Sequence, residues 1–254
     1  GRGMSSSGAS AAPPLGSSSR GQKVQIQLVG LVDGKAALEQ LLHACRAVCG
    51  KMETKLLHKE TVFKLAPPAP GVAPPRVSYE LRVRLVKTSS SDDKNVQPMI
   101  MHCLGEGVAF PGPCEKYLQS RVDEHSRRRT QKPALRKIIE VDVSSACDDV
   151  LKLLGFEQDY VFIRSGHQFL CGADGRTSVT ISELRRFHNT SSQHTPKFET
   201  DRNGTPVDDS WMVELVTNGD FDSNSGLEAS IKEHLSIADQ LGAFATFNTP
   251  EDAR

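Results

Sequence analysis

Lys23 to Leu31 alternates Val24, Ile26 and Leu28 with Lys23, Gln25 and Gln27, the two-residue period of a half-buried strand. From Gly34 to Gly50 the apolar positions Leu38, Leu41, Leu42, Cys45 and Val48 fall three and four apart, which predicts a helix closed by Gly50. Two extended segments follow, Lys55–Leu65 and Arg76–Lys87. In the second, Val77, Tyr79, Leu81 and Val83 share one face, with Glu80, Arg82 and Arg84 on the other. Gln97 to Leu104 is the fourth strand of the series.

The same order then returns. Leu135 to Val143 sets Ile139, Val141 and Val143 against Ile138, Glu140 and Asp142. Ser144 or Ser145 is placed to cap a helix that carries Asp148 and Asp149 in its first turn and Val150, Leu151 and Leu154 as apolar positions, ending at Gly155. Gly155 to Phe187 predicts three antiparallel strands, with turns at Ser165-Gly166 and at Gly172 to Gly175. Trp211 to Thr217 alternates again. Ser225 to Glu228 reads as a capping box for a last helix with Leu227, Ile231, Leu235 and Ala238 on one stripe.

Strand, helix and three strands, given twice and followed by a helix, define an α+β, mainly β fold. The expected architecture is an eight-stranded, mostly antiparallel β-barrel built from two strand-helix-three-strand halves, with the helices outside. Closure removes the exposed sheet edges that would recruit other chains. Residues 1–22, rich in Ser, Gly and Pro, are expected to be a disordered tail, because they hold too little apolar surface to offset ordering entropy. Residues 23–242 form the single barrel domain, with loop insertions at 66–75, 106–132 and 188–210, and 243–254 form a C-terminal tail.

Composition narrows the function. Across 254 residues, Lys plus Arg equal Asp plus Glu at 31 each, so there is no net field to draw in nucleic acid or a membrane surface. Neither a spanning apolar run nor an apolar leader core stands in the sequence, and a soluble intracellular chain is expected. The cysteines at 45, 49, 103, 114, 147 and 171 show no CxxC pairing, so reduced packing thiols are expected rather than a disulfide or a metal site. Local charge gathers at Arg127, Arg128 and Arg129 beside His125. That run reads either as a solvated insertion or as a nuclear-import or nucleic-acid contact patch.

Four short motifs carry a resemblance. Leu57-x-x-Glu60-x-Val62-Phe63, Leu154-Gly155-Phe156 followed by Asp159-Tyr160-x-Phe162, Gly166-His167-x-Phe169 and Val213-Glu214-Leu215 stand in the order found in subunit 18 of the Mediator complex. The chain resembles that family over roughly Lys23 to Leu241. The resemblance implies a non-enzymatic β-barrel subunit of the head module that pairs with the related barrel of Mediator subunit 20 and receives a helix from subunit 8. It further implies a nuclear protein that regulates RNA polymerase II transcription. No cofactor and no sequence-specific nucleic acid are expected. For the partner helix, Leu227, Ile231 and Leu235 are the candidate residues; the other reading of that stripe is that it covers the chain's own barrel.

Two further classes fit a barrel. A triphosphate-tunnel-type, metal-dependent phosphohydrolase needs inward glutamates on its first strand, typically E-x-E-x-K. Gln25 and Gln27 occupy that place here, and glutamine lacks the negative charge a hard cation requires. Glu80, Glu140, Asp142 and Glu214 are the acids left for such a site. An RNA-binding barrel would rely on Arg127 to Arg129. His167 reads as a hydrogen-bonded hairpin histidine rather than a general base, since no acid or nucleophile lies at a recognisable spacing.

Overall fold

The alternation of the first segment becomes β1 (Lys23–Val32), and the three-four spacing after it α1 (Lys35–Cys49). The structure is a computed structural model that describes residues 23–50, 53–66, 80–86, 99–124, 132–144, 146–172, 174–187, 205–206, 210–221 and 223–250. Then come β2 (Glu53–Leu65), β3 (Glu80–Val86), β4 (Met99–Gly107), α2 (Gly112–Glu124), β5 (Ala134–Val143), α3 (Cys147–Leu153), β6 (Phe156–Cys171), β7 (Thr177–Phe187), β8 (Thr205–Pro206), β9 (Trp211–Gly219), α4 (Asn224–Leu241) and β10 (Thr246–Asn248). The hydrogen-bonded order is β1-β5-β4-β3-β2-β6-β7-β9, and β9 returns to β1. Every pairing is antiparallel, so eight strands close into a barrel. The short β10 and β8 extend it, β10 along Val29 to Leu31 of β1 and β8 along Arg185 and Arg186 of β7.

Pleat alternation divides each strand between a wall and a lumen. Ile26 and Leu28 of β1, Phe169 and Cys171 of β6, Val179 and Ile181 of β7, and Val213 and Leu215 of β9 belong to one apolar cluster that α1 and α4 complete. A smaller cluster sets Cys147 and Leu151 of α3 on Phe63, Leu81 and Val83. The apolar core therefore lies between the barrel wall and its helices. Leu227, Ile231 and Leu235 fall inside it, fully or almost fully buried, so the stripe offered for a partner helix covers the chain's own barrel. Side chains at three- and four-residue spacing share one helix face, and here that face meets β9 and α1.

Several local expectations are corrected. Ser165-Gly166 is no turn: β6 runs unbroken for 16 residues, pairing with β2 on one side and β7 on the other. The predicted three-strand meander is one long hairpin, and β9 is thereby the eighth strand of the wall. Glycine serves here for close approach, since a Cβ on Gly166 would overlap the carbonyl oxygen of Ile181 and lie 2.9 Å from Ser182 Cα. Within 106–132, read as irregular, residues 112–124 form α2, whose Cys114 and Leu118 are buried in the main cluster. The tail 243–254 contributes β10, with Phe247 buried. The cap of α4 is Ser223, whose Oγ accepts from Gly226 N at 3.2 Å, two residues before the expected box. For α3 the capping residue is Ala146, with no side-chain cap bond. The proline-rich linker beyond Ala66 lies outside the described residues, as do residues 1–22 and most of 188–210.

The thiol expectation is also overturned in part. Cys49, at the end of α1, and Cys171, at the end of β6, form a disulfide across 122 residues of sequence, a separation no local spacing reveals. Cys45, Cys103, Cys114 and Cys147 remain free, and burial pushes the Cys45 thiol up to about 12. Closing so long a loop restricts the unfolded chain. Adding a thiol reductant is expected to lower unfolding stability by roughly 2–4 kcal/mol, and Cys49→Ser to abolish that reductant dependence; urea titrations with and without reductant check both.

Candidate functional site

The inward positions of the eight strands line a cavity of about 300 Å³. Gln25 and Gln27 reach it from β1, His58 from β2, Arg82 and Arg84 from β3, His102 from β4, Glu140 from β5, Arg164 and Gln168 from β6, Thr180 from β7, and Glu214 and Asn218 from β9. The two glutamines thus stand inside the barrel, where a tunnel hydrolase would need acids. Gln27 donates to Glu214 Oε1 at 3.2 Å, and Gln25 to Asn218 Oδ1 at 3.2 Å.

The charges within pair with one another. Arg164, buried, donates through Nη1 to Glu214 Oε2 and holds Nε 3.6 Å from Glu60 Oε1. Arg84 Nε donates to that same Glu60 oxygen at 2.8 Å. Burial by itself pushes Glu60 up, but the fields of Arg164, Arg84 and Arg82 together outweigh it and hold the carboxyl at about 2. Lys23 and His102 meet Glu140 at 3.0 and 3.3 Å. Three carboxylates, Glu60, Glu140 and Glu214, each have a cationic or donor partner, while Glu60 Oε2 is buried with no hydrogen-bond partner among the described residues. Among the described residues no group of three or more His, Cys, Asp or Glu side chains is placed to hold a metal ion.

The site joins what the sequence scattered. Glu60 and Glu214, each inside one of the four short motifs, converge on Arg164, which belongs to none of them. Pleat parity puts Arg164 on one strand face with Phe162 and Gln168, but its burial and its pairing across 104 and 50 residues required the fold. His167 lies mid-strand rather than in a hairpin, with Nδ1 2.7 Å from Glu53 Oε1. Glu53 also accepts from Arg46 Nε at 2.8 Å. The acid absent at local spacing is thus 114 residues away, on the adjacent strand. Glu140 faces the lumen, while Asp142 is exposed. Nothing is described of the Glu80 side chain, and residues 125–131, with Arg127, Arg128 and Arg129, lie outside the described residues.

Acid is expected to loosen this interior in two overlapping windows. Burial, then Arg84, lowers His58 to about 4, and the same two influences lower His102 to about 4. Glu60, Glu140, Arg82 and Arg164 face these rings as well. Burial also takes His234, bonded through Nδ1 to Thr217 Oγ1 at 2.9 Å, to about 3. The unfolded chain therefore binds more protons than the folded one, so stability falls as pH drops from 6.5 through about 4. Glu60 adds stability above its ordinary 4.5 that is lost as pH falls toward about 2. Urea midpoints measured from about pH 7.5 down to about 4 should decline throughout; a flat curve over that range would contradict the assigned geometry.

A closed antiparallel barrel with helices outside and ion pairs inside, Arg84 with Glu60 and Arg164 with Glu214, defines the class. The chain belongs to the Med18 protein family, which matches residues 24–251, nearly its whole length, and which comprises structural subunits of the Mediator complex. No curated protein matches the sequence. Among solved structures, it is similar to the PH1819 protein of Pyrococcus horikoshii OT3, at 12% identity and a TM-score of 0.48, with 86% of this chain and 90% of that one covered. It is also similar to the Mimivirus capping enzyme triphosphatase, at 9% identity and a TM-score of 0.42, with 87% and 92% covered. No helix among the described residues is long and apolar enough to cross a membrane.

Proposed function

We propose that this chain is a non-enzymatic structural and interaction subunit of the Mediator coactivator complex. In this reading it sits in the head module in the nucleus, pairs with the sister barrel of subunit 20, receives a helix from subunit 8, and regulates transcription by RNA polymerase II. The family match across residues 24–251 carries the reading. The lumen supports it: a hydrolytic tunnel needs acids free for metal and bases free for phosphate, whereas Glu60 and Glu214 are engaged by Arg84 and Arg164. Function then resides on outer surfaces, where buried apolar area and shape decide partners.

Affinity isolation of the tagged chain from nuclear extract, followed by peptide identification, is expected to return Mediator subunits, with subunit 20 the most abundant. Elution as a lone, stable monomer would overturn the reading. Release of phosphate from a nucleoside triphosphate with manganese present would replace it with tunnel hydrolysis, and a salt-sensitive shift of labelled RNA, lost on neutralising Arg127 to Arg129, with RNA binding.

A further inference from the structure

The interior of the barrel has a basic side and a mainly neutral side. Five bases reach the lumen, His58 from β2, Arg82 and Arg84 from β3, His102 from β4 and Arg164 from β6, and these four strands are consecutive in the wall. Register sets them side by side: His58 lies opposite Arg164, and Arg82 opposite His102. Across the cavity, β1, β7 and β9 present amides and hydroxyls, among them Gln25, Ser178, Thr180 and Asn218.

Two carboxylates face the same space. Glu140 meets Lys23 and His102, and Glu214 meets Arg164 and Gln27. Glu60 is fully buried and stands outside the lining. Three guanidiniums thus look onto the cavity against two carboxylates. The forks of two of them are also incompletely used. A guanidinium carries five N–H donors in one plane, and among the described contacts Arg84 donates to an acid through Nε and Arg164 through Nη1. Only 7% of the Arg164 side chain is exposed, yet its Nε has no hydrogen-bond partner, Glu60 Oε1 standing 3.6 Å away. A buried donor left unmet is costly. Arg84, 29% exposed, opens the basic side to water. The surplus is felt by the rings. After burial, Arg84 is the largest influence that holds His58 and His102 down at about 4, joined by Arg164 and His102 at His58 and by Arg82 at His102. Glu60 opposes it at both rings, and Glu140 at His102.

We propose that the barrel lumen binds a small inorganic oxyanion of the diphosphate class against Arg82, Arg84 and Arg164, without a metal and without hydrolysis. Guanidinium forks match phosphate oxygens two at a time. Three of them exceed what one carboxylate group satisfies, which selects an anion of several charges. A volume of about 300 Å³ is at the small end for ligand pockets, and so favours the bare anion over one that carries a nucleoside. Oxygens turned away from the arginines meet the amides and hydroxyls of the far side. Holding an anion asks for no free acid, so Gln25 and Gln27, unsuited to a hydrolytic metal, suit this ligand. The bound charge also cancels the field that keeps His58 and His102 neutral, and both rings gain protons as it binds. The inference goes beyond the subunit role proposed above and stands apart from it.

The test titrates inorganic pyrophosphate into the full chain by calorimetry, with a chelator present, at about pH 7, and follows the ring resonances of isotope-labelled histidine in parallel. One saturable site with a Kd below about 1 mM is expected, together with movement of the His58 and His102 resonances toward their protonated positions. Arg82→Gln should weaken binding about ten-fold or more. Gln25→Glu, which changes charge at nearly constant shape, should weaken it too, and carries the test if Arg82→Gln does not fold; near-ultraviolet circular dichroism shows which variants are folded. A nucleoside diphosphate run alongside is expected to bind about ten-fold more weakly than pyrophosphate. Equal or tighter binding of the nucleotide would overturn the inorganic ligand. No saturable binding, binding only with a divalent metal, histidine resonances that stay still, or unchanged affinity in a folded variant would each overturn the site itself.

Discussion

Arg164→Met is expected to lower the stability of the folded chain by about 3–5 kcal/mol near neutral pH, the cost of removing one member of a buried ion network. Its guanidinium is the only side chain that touches both Glu60 and Glu214 among the contacts described, and Glu60 has no solvent exposure. Methionine keeps most of the volume, so the loss reports charge rather than a cavity. Without Arg164, Glu214 retains the neutral donor Gln27, and Glu60 retains Arg84. Neither replaces the missing positive charge, and the Glu60 carboxyl, held low in part by Arg164, responds by binding a proton more readily. The sign follows. In the variant the folded state holds protons that the unfolded state has released, so its deficit relative to the parent grows as pH rises and narrows toward about pH 4. Converting Glu60 and Glu214 to glutamine in the same chain should restore much of the loss, since a buried network can be replaced as a unit more cheaply than broken. Urea unfolding at about pH 7 and about pH 4.5 measures all of this. A single variant within about 1 kcal/mol of the parent would mean that the interior charges do not hold the barrel together.

The second large effect is expected at Gly166→Ala. The added methyl would overlap the Ile181 carbonyl oxygen and sit 2.9 Å from Ser182 Cα, both backbone atoms that no side-chain rotation can move aside. Gly166 is opposite Leu56 on β2 and Ser182 on β7, so relief requires parting two ladders in the middle of the longest strand. The loss is expected to exceed about 4 kcal/mol, in the range reserved for specific structural failures. Failure to fold agrees with this; near-parent stability by urea titration would show that β6 and β7 do not approach so closely. Had Ser165-Gly166 been a turn, as the dipeptide suggests, alanine would have been mild.

That contrast shows where local reading stops. Ser and Gly favour turns when neighbouring chain competes for nothing else, but in β6 the ladder bonds to β2 and β7 override the preference. The absence of Cβ, rather than a positive φ, is what the site uses. α2 was missed for a related reason: Pro111 and Pro113 interrupt the pattern on paper, yet both stand at the start of the helix, where proline costs no hydrogen bond. Cys49 and Cys171 had no legible signal, because pairing across 122 residues depends on where the barrel closes.

The linear order of residues by itself determined the alternation along the wall strands, their duplication with a helix after the first of each half, and that Gln25 with Gln27, and Arg82 with Arg84, share one face of their strand. Periodicity settles these, because the side of a strand on which a residue falls is a matter of counting by two. Only the tertiary structure decided which carboxylate meets which guanidinium and that Leu227, Ile231 and Leu235 turn inward. Those outcomes follow from contacts between segments tens to more than a hundred residues apart, whose energies depend on closure of the barrel, and the pattern within any single segment does not contain them.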